Sequence, residues 1–265
     1  KHTFKAKELA LKFKLTLLEN LNKKNIDDCN ICLITNSSES HFNLIKILSN
    51  QIKIFIVEKP MVEDSNQLRE LSNLIKNKHL KIFEVSQFLF SNQIAKIMIK
   101  RKARILIKKK RVSSDFFNFK NIKTKDKSVV FRQFPHWYDV AKKIAGGYIS
   151  LNKFETNIHD LNADYLKVYL SNSRVNVEIE INLNCEKNYS PIILADNKKI
   201  VLKQSIWNKF CNIIKLKNFN LTEIYLNDMY KNFLFKTKKN EYENNIDFEK
   251  YRVFGKIFHK LRTEI

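Results

Sequence analysis

Two short apolar runs with a helix between them constrain this chain more than any other feature. Ile31 to Ile34 is apolar and stops in a polar cluster, Thr35 to Ser40. A helical pattern follows from His41, with Leu44, Ile45 and Leu48 on one face. The second run, Ile52 to Val57, ends abruptly at Glu58-Lys59-Pro60. Strand, loop, helix, strand is the βαβ unit of a parallel sheet. Near-continuous apolar strands predict a sheet covered on both faces. In such sheets ligands bind beyond the carboxyl ends of the strands. Thr35 to His41 and Glu58 to Pro60 both occupy such ends, side by side.

The rest of the chain divides in two. Lys5 to Phe13 reads as an amphipathic helix, and Leu15 to Leu21 as a shorter one. A helix over Val62 to Asn77, capped by Asp64 or Ser65, and a strand over Leu80 to Val85 continue the alternation. Asn92 to Arg101 reads as a helix. Ala103 to Ile107 reads as a strand flanked by Lys and Arg, which suits a solvated sheet edge; a phosphate-binding patch is the other reading. Val112 to Ser128 reads as a loop. Beyond Tyr148 the pattern becomes strand-like. Val175, Val177, Ile179, Ile181 and Leu183 alternate with polar residues, as in an antiparallel sheet with one wet face. A hairpin is expected around Ala195 to Lys198, mixed short strands and loops over Asn208 to Tyr230, and a closing helix over Glu249 to Leu261. The expected class is α/β: a partial Rossmann-like parallel-sheet domain in residues 1–88, then an α+β domain with a large, open, mainly antiparallel sheet in 89–265.

Composition narrows the functions. The 265 residues are 44% hydrophobic, enough for one large domain or two ordinary ones. No apolar run approaches the ~18 residues of a membrane span, and the charged, amphipathic start does not read as a signal peptide. The cytoplasm is the expected compartment. Net charge is +22, but Lys, Asn and Ile are abundant throughout, so nucleic-acid binding is not the expected use. A basic chain does attract anionic cofactors and substrates. Cys29 and Cys32 have a metal-like spacing but no second pair, and read as small apolar residues at a strand entry. Only three glycines occur, Gly146, Gly147 and Gly255. A dinucleotide site ordinarily has a glycine-rich turn that lets backbone approach the pyrophosphate.

A second informative stretch is Val129 to Gly147, a helix carrying His136 and Asp139 and ending in Gly146-Gly147. With the first stretch it carries a resemblance. The chain resembles the glucose–fructose oxidoreductase / inositol dehydrogenase family of NAD(P)-dependent oxidoreductases. That family has a strand ending in Thr-Pro, a His a few residues on, a helix, and a strand ending in Glu-Lys-Pro. Here Asn36-Ser37 take the Thr-Pro place, His41 is the His, and Glu58-Lys59-Pro60 stand unaltered. His136, Asp139 and Gly146 fall in register with the family's later His, Asp and helix-ending Gly. Arg132 stands where the family has a first Asp, and Phe134 where it has a Gly. The family's glycine-rich loop is expected upstream of Lys1, or else to have been lost.

The resemblance implies hydride transfer between NAD or NADP and a hydroxyl or carbonyl carbon of a sugar or sugar-derived substrate. Lys59 would polarise the reacting oxygen and His136 would move its proton. Thr35, Asn36, Ser37, His41, Glu58 and Lys59 would line the cofactor, and Arg132 and Asp139 the substrate. Arg132 in place of an acid suits an acidic or phosphorylated substrate. The family also implies a homo-oligomer joined through the sheet face. Plain alternatives stand beside these roles: Lys59 as solvated surface, His136 as a cap or packing residue, His41 as a first-turn helix residue, and Asp139 as a residue that bonds the helix or a nearby base. A relative that keeps the fold as a binding or scaffold protein is the alternative function.

Overall fold

The structure, a computed structural model, describes residues 29–109, 129–159, 162–202 and 247–263, with Lys7, Glu8, Ala10, Leu11, Lys14, Thr16 and Ile26 before them. The described elements are β1 (Ile31–Ile34), α1 (Ser38–Leu48), β2 (Ile54–Val57), α2 (Ser65–Lys78) and β3 (Lys81–Glu84), then a 3-10 turn (Gln87–Phe90) and a short α3 (Asn92–Ala95). After them come β4 (Lys102–Lys108), α4 (Val129–Ile144), β5 (Ser150–His159), β6 (Asn162–Ser171), β7 (Asn176–Asn182), β8 (Ile192–Ala195), β9 (Lys198–Val201) and α5 (Phe248–Thr263).

The first unit is a parallel three-stranded sheet in the order β1-β2-β3. Ile34, Val57 and Glu84 are aligned across it, so all three strands end on one line. Phe55, Ile56 and Val57 of the central strand are all buried, as a strand covered on both faces requires. Leu33 of β1 is 51% exposed, so that covering does not extend over all of the first strand. The Asp64 carboxylate caps α2 by accepting the Gln67 N–H at 2.8 Å. Lys7, Glu8, Ala10 and Leu11 of the first expected helix are helical. The second one, at Leu15 to Leu21, lies outside the described residues except for Thr16, and so do the expected loop at Val112 to Ser128 and the expected mix of short strands and loops at Asn208 to Tyr230.

The second unit is a six-stranded sheet, β5-β6-β7-β4-β8-β9, packed on α4. β4 and β7 run parallel; the other neighbours are antiparallel. Fold class is therefore α/β with a parallel sheet followed by a mixed, mainly antiparallel one. Two expectations fail here. β4 is not an edge strand: it lies between β7 and β8, with Ala103, Ile105 and Ile107 in the core. The charges that suggested an edge point the other way. Arg104 pairs with Glu178 and Glu180 on β7, and the Asp196 carboxylate accepts the N–H groups of Lys100, Arg101 and Lys102. The helix expected over Asn92 to Arg101 stops at Ala95. Beyond it Ile97 and Ile99 are buried while Met98 and Lys100 are exposed, the two-residue period of extended chain.

α4 is buried on nearly all sides between Phe134 and Ala141. It ends in a Schellman motif: the Gly147 N–H reaches the Lys142 carbonyl at 3.1 Å and that of Gly146 the Lys143 carbonyl at 3.2 Å. Gly146 has φ +78°, where a side chain would be strained. The last helix, α5, joins the two units. Tyr251 belongs to the first core, Val253, Phe254 and Ile257 to the second.

Candidate active site

Three turns meet beyond the aligned ends of β1, β2 and β3. The first is Thr35 to Ser37, leading into α1. Thr35 and Asn36 are exposed, Ser37 half-buried. The Asn36 amide donates to Ser40 Oγ, which donates in turn to the Ser37 carbonyl at 2.7 Å. The second turn is Glu58-Lys59-Pro60, with a cis bond before the proline. Glu58 and Lys59 are half-buried, and the Glu58 N–H continues the sheet to the Ile34 carbonyl at 2.8 Å. The third is Val85-Ser86, which enters the second unit.

His41 holds the first two turns together. It is 1% exposed, with Nδ1 at 2.9 Å from the Pro60 carbonyl and Nε2 at 2.9 Å from that of Asn36. Carbonyls only accept, so the ring nitrogen that carries the hydrogen donates to the carbonyl it faces. The imidazole thus faces inward between two backbones, and its position suits tying the two turns together rather than touching a ligand.

Across these turns stands α4. His136 is buried and edge-on to Phe88, ring centroids 5.5 Å apart, while Phe88 stacks on Trp137 at 4.8 Å. Burial holds the imidazole well below its ordinary value, and the nearby cations Lys59, Lys250 and Lys109 push in the same direction. Lys59 and His136 therefore act on one another electrostatically, and His136 is a neutral ring at neutral pH. Arg132 lies near the start of the same helix, and its side chain is outside the described residues.

Asp139 is the hub of a buried polar cluster. Its carboxylate accepts from Ser86 Oγ and from Lys250 Nζ at 3.0 and 3.1 Å. Burial pushes it up to about 6, partly opposed by the Lys250 charge and with Glu84 raising it further. Lys250 also donates to Glu84, whose other oxygen accepts from the Tyr251 hydroxyl. That hydroxyl accepts the Met61 N–H at 2.7 Å. Burial works against the Lys250 ammonium, and the charges of Asp139 and Glu84 more than offset it, so lysine stays charged.

Sequence reasoning missed Glu84, Ser86, Phe88, Lys250 and Tyr251. One signal was available. Lys250 stands three residues before Val253 and seven before Ile257, on the stripe of α5 that should be apolar. A lysine there is either a break in the stripe or a buried charge with partners.

No protein-family model and no curated protein sequence matches the chain. Solved structures do match it in fold. The MviM dehydrogenase from Clostridium difficile superposes with a TM-score of 0.70 at 14% identity, covering 98% of this chain and 87% of the other. The WlbA dehydrogenase from Bordetella pertussis, solved with NADH and UDP-GlcNAcA, gives 0.71 at 10% identity, with 98% and 85% covered. GnnA, a UDP-N-acetylglucosamine 3-dehydrogenase from Acidithiobacillus ferrooxidans, gives 0.68 at 11%, with 98% and 86% covered. The chain shares its fold with these three proteins. Identities this low carry the fold alone. Among the described residues no group of His, Cys, Asp and Glu could hold a metal ion, and no helix is long and apolar enough to cross a membrane.

Proposed function

We propose that this protein is an NAD(P)-dependent oxidoreductase acting on a hydroxyl or carbonyl carbon of a sugar or sugar-derived substrate. The observation that carries the reading is the position of Lys59 just beyond a parallel strand and of His136 on the helix of the second unit, with the Lys59 charge one of three that add to burial in lowering the imidazole. The fold shared with dehydrogenases, one of them solved with NADH, supports it.

The residues present fit the nicotinamide end of such a cofactor. Exposed Thr35 and Asn36, with half-buried Ser37, Glu58 and Lys59, offer polar groups at the carboxyl ends of parallel strands. A nicotinamide bound there would supply the hydride acceptor or donor. The chain's own residues would do the rest. Lys59 donates a hydrogen bond to the reacting oxygen and stabilises negative charge on it. His136, neutral through burial and neighbouring cations, accepts the hydroxyl proton in the oxidation and returns it in the reduction. His41 keeps the Asn36 and Lys59 turns at a set separation. Arg132 would favour a substrate with a carboxylate or phosphate, and Arg132→Asp would then weaken use of acidic substrates.

Titrating the protein with NADH and NADPH, followed by nicotinamide fluorescence and thermal stabilisation, tests the reading. Binding to wild type is expected, with Lys59→Ala and His136→Ala lowering turnover of a carbonyl substrate by at least about 100-fold. Absence of binding by both cofactors would overturn it. That outcome would favour a second reading, a ligand-binding relative without the chemistry. Arg132, standing where the resembled family has an acid, is the observation on its side.

A further inference from the structure

Lys250 and Tyr251 are adjacent on α5, far along the chain from both motifs, yet each is buried and bonded to the walls of the candidate site. Lys250 Nζ donates to Glu84 Oε2 and to both oxygens of Asp139. Tyr251 donates to Glu84 Oε1 and accepts from the Met61 N–H. Met61 lies two residues after Lys59, and Asp139 one helical turn after His136. An unbroken line of hydrogen bonds thus runs from the Lys59 turn to the His136 helix, through the single carboxylate of Glu84.

We propose that Lys250 and Tyr251 are positioning residues that clamp the Lys59 turn and the His136 helix onto Glu84, and so set the gap in which the reacting oxygen would sit. What that gap is for rests on the dehydrogenase reading; the clamp itself does not. The bonds of each residue leave it no hydrogen to offer a ligand. The three N–H donors of Lys250 meet three acceptor atoms, and the one O–H of Tyr251 is taken. Stability alone is a poor reason for the cluster, because an apolar replacement of buried ion pairs is commonly as stable or more so. Directional bonds give what apolar packing does not: a defined distance between two elements. A misplacement of about 1 Å can lower a rate about 100-fold.

The test uses the whole chain and three variants, Tyr251→Phe, Lys250→Met and Lys250→Arg. Tyr251→Phe removes one hydroxyl and keeps the ring, so it carries the test should Lys250→Met fail to fold. Amide hydrogen exchange at Met61 is the first readout, and the imidazole NMR signals of His136 the second. Loss of the Tyr251 hydroxyl is expected to speed Met61 exchange about tenfold, with residues 65–78 of α2 unchanged. The His136 signals are expected to shift in Tyr251→Phe and Lys250→Met, and to return toward wild type in Lys250→Arg. NADH affinity is expected to fall in step. Unaltered Met61 exchange, or an unmoved His136 in Tyr251→Phe, overturns the clamp. A wild-type protein that binds neither NADH nor NADPH overturns the dehydrogenase reading instead, and the first two readouts still decide the clamp.

Discussion

Lys250 Nζ lies 3.0 and 3.1 Å from the two oxygens of Asp139, inside the protein, with α5 on one side and α4 on the other. The lysine side chain is 2% exposed and that of Asp139 9%. Removing one partner of such a pair leaves the other charge buried without compensation, which costs about 3–5 kcal/mol. Lys250→Met is expected to lose that much in urea unfolding, and Lys250→Arg clearly less. A loss within about 0.5 kcal/mol, the usual range for a surface substitution, would show that the ammonium is solvated.

The pH dependence of stability should carry two opposed contributions. Asp139 is pushed up from 3.8 to about 6, first by burial. The native state then holds its proton more tightly than the unfolded chain. Its share of stability is complete below about pH 3.8 and is lost as pH rises through about 6. His136 is held below its ordinary 6.5, again first by burial. Its share is present above pH 6.5 and is lost as pH falls. Unfolding free energies measured from acid to neutral pH should show less acid loss in His136→Gln and less neutral-side loss in Asp139→Asn. Parallel curves for wild type and both variants would contradict the burial of these groups.

His41 gives a third expectation. Phenylalanine can fill the volume of the ring but donates nothing to the Asn36 and Pro60 carbonyls. Leaving a buried acceptor without its donor costs about 1–3 kcal/mol. Thermal unfolding of His41→Phe should fall accordingly, and cofactor titration of the same variant should weaken because the two turns are no longer tied. An unchanged melting temperature would mean that the imidazole is not the tie.

The central position of β4 is directly testable. Ile105 is fully buried, paired with Ile179 on one side and Ile193 on the other. Ile105→Ala should cost about 2–5 kcal/mol, the range for a filled core site. Leu106→Ala, on the half-buried opposite face, should cost clearly less. Equal and small losses would return β4 to the sheet edge that its flanking lysines suggested.

Those lysines show where local reading stops. Ala103 to Ile107 was legible as a strand because alternation is a property of neighbouring residues. Its place in the sheet was not, because Arg104 finds Glu178 and Glu180 on a strand more than seventy positions away. The helix over Asn92 to Arg101 failed for a related reason: Ile94, Ile97 and Met98 fit a helical stripe, Ile97 and Ile99 one face of an extended chain, and burial of Ile97 and Ile99 with Met98 exposed chooses the second. The strand tip that precedes Lys59 and the helix that carries His136 were legible from the run of apolar residues. The inward turn of His41 and the engagement of Asp139 by Lys250 were not.

Residue order by itself determined the apolar strands, the polar turns at their carboxyl ends, the capped helices and the glycine stop after α4, because backbone sterics and short-range periodicity decide each within a few neighbours. Only the tertiary structure decided which buried charges meet. Glu84, Asp139, Lys250 and Tyr251 come from three distant parts of the chain. Burying a charge is unfavourable until its partner arrives, so their pairing is a property of the packed core and of no single segment.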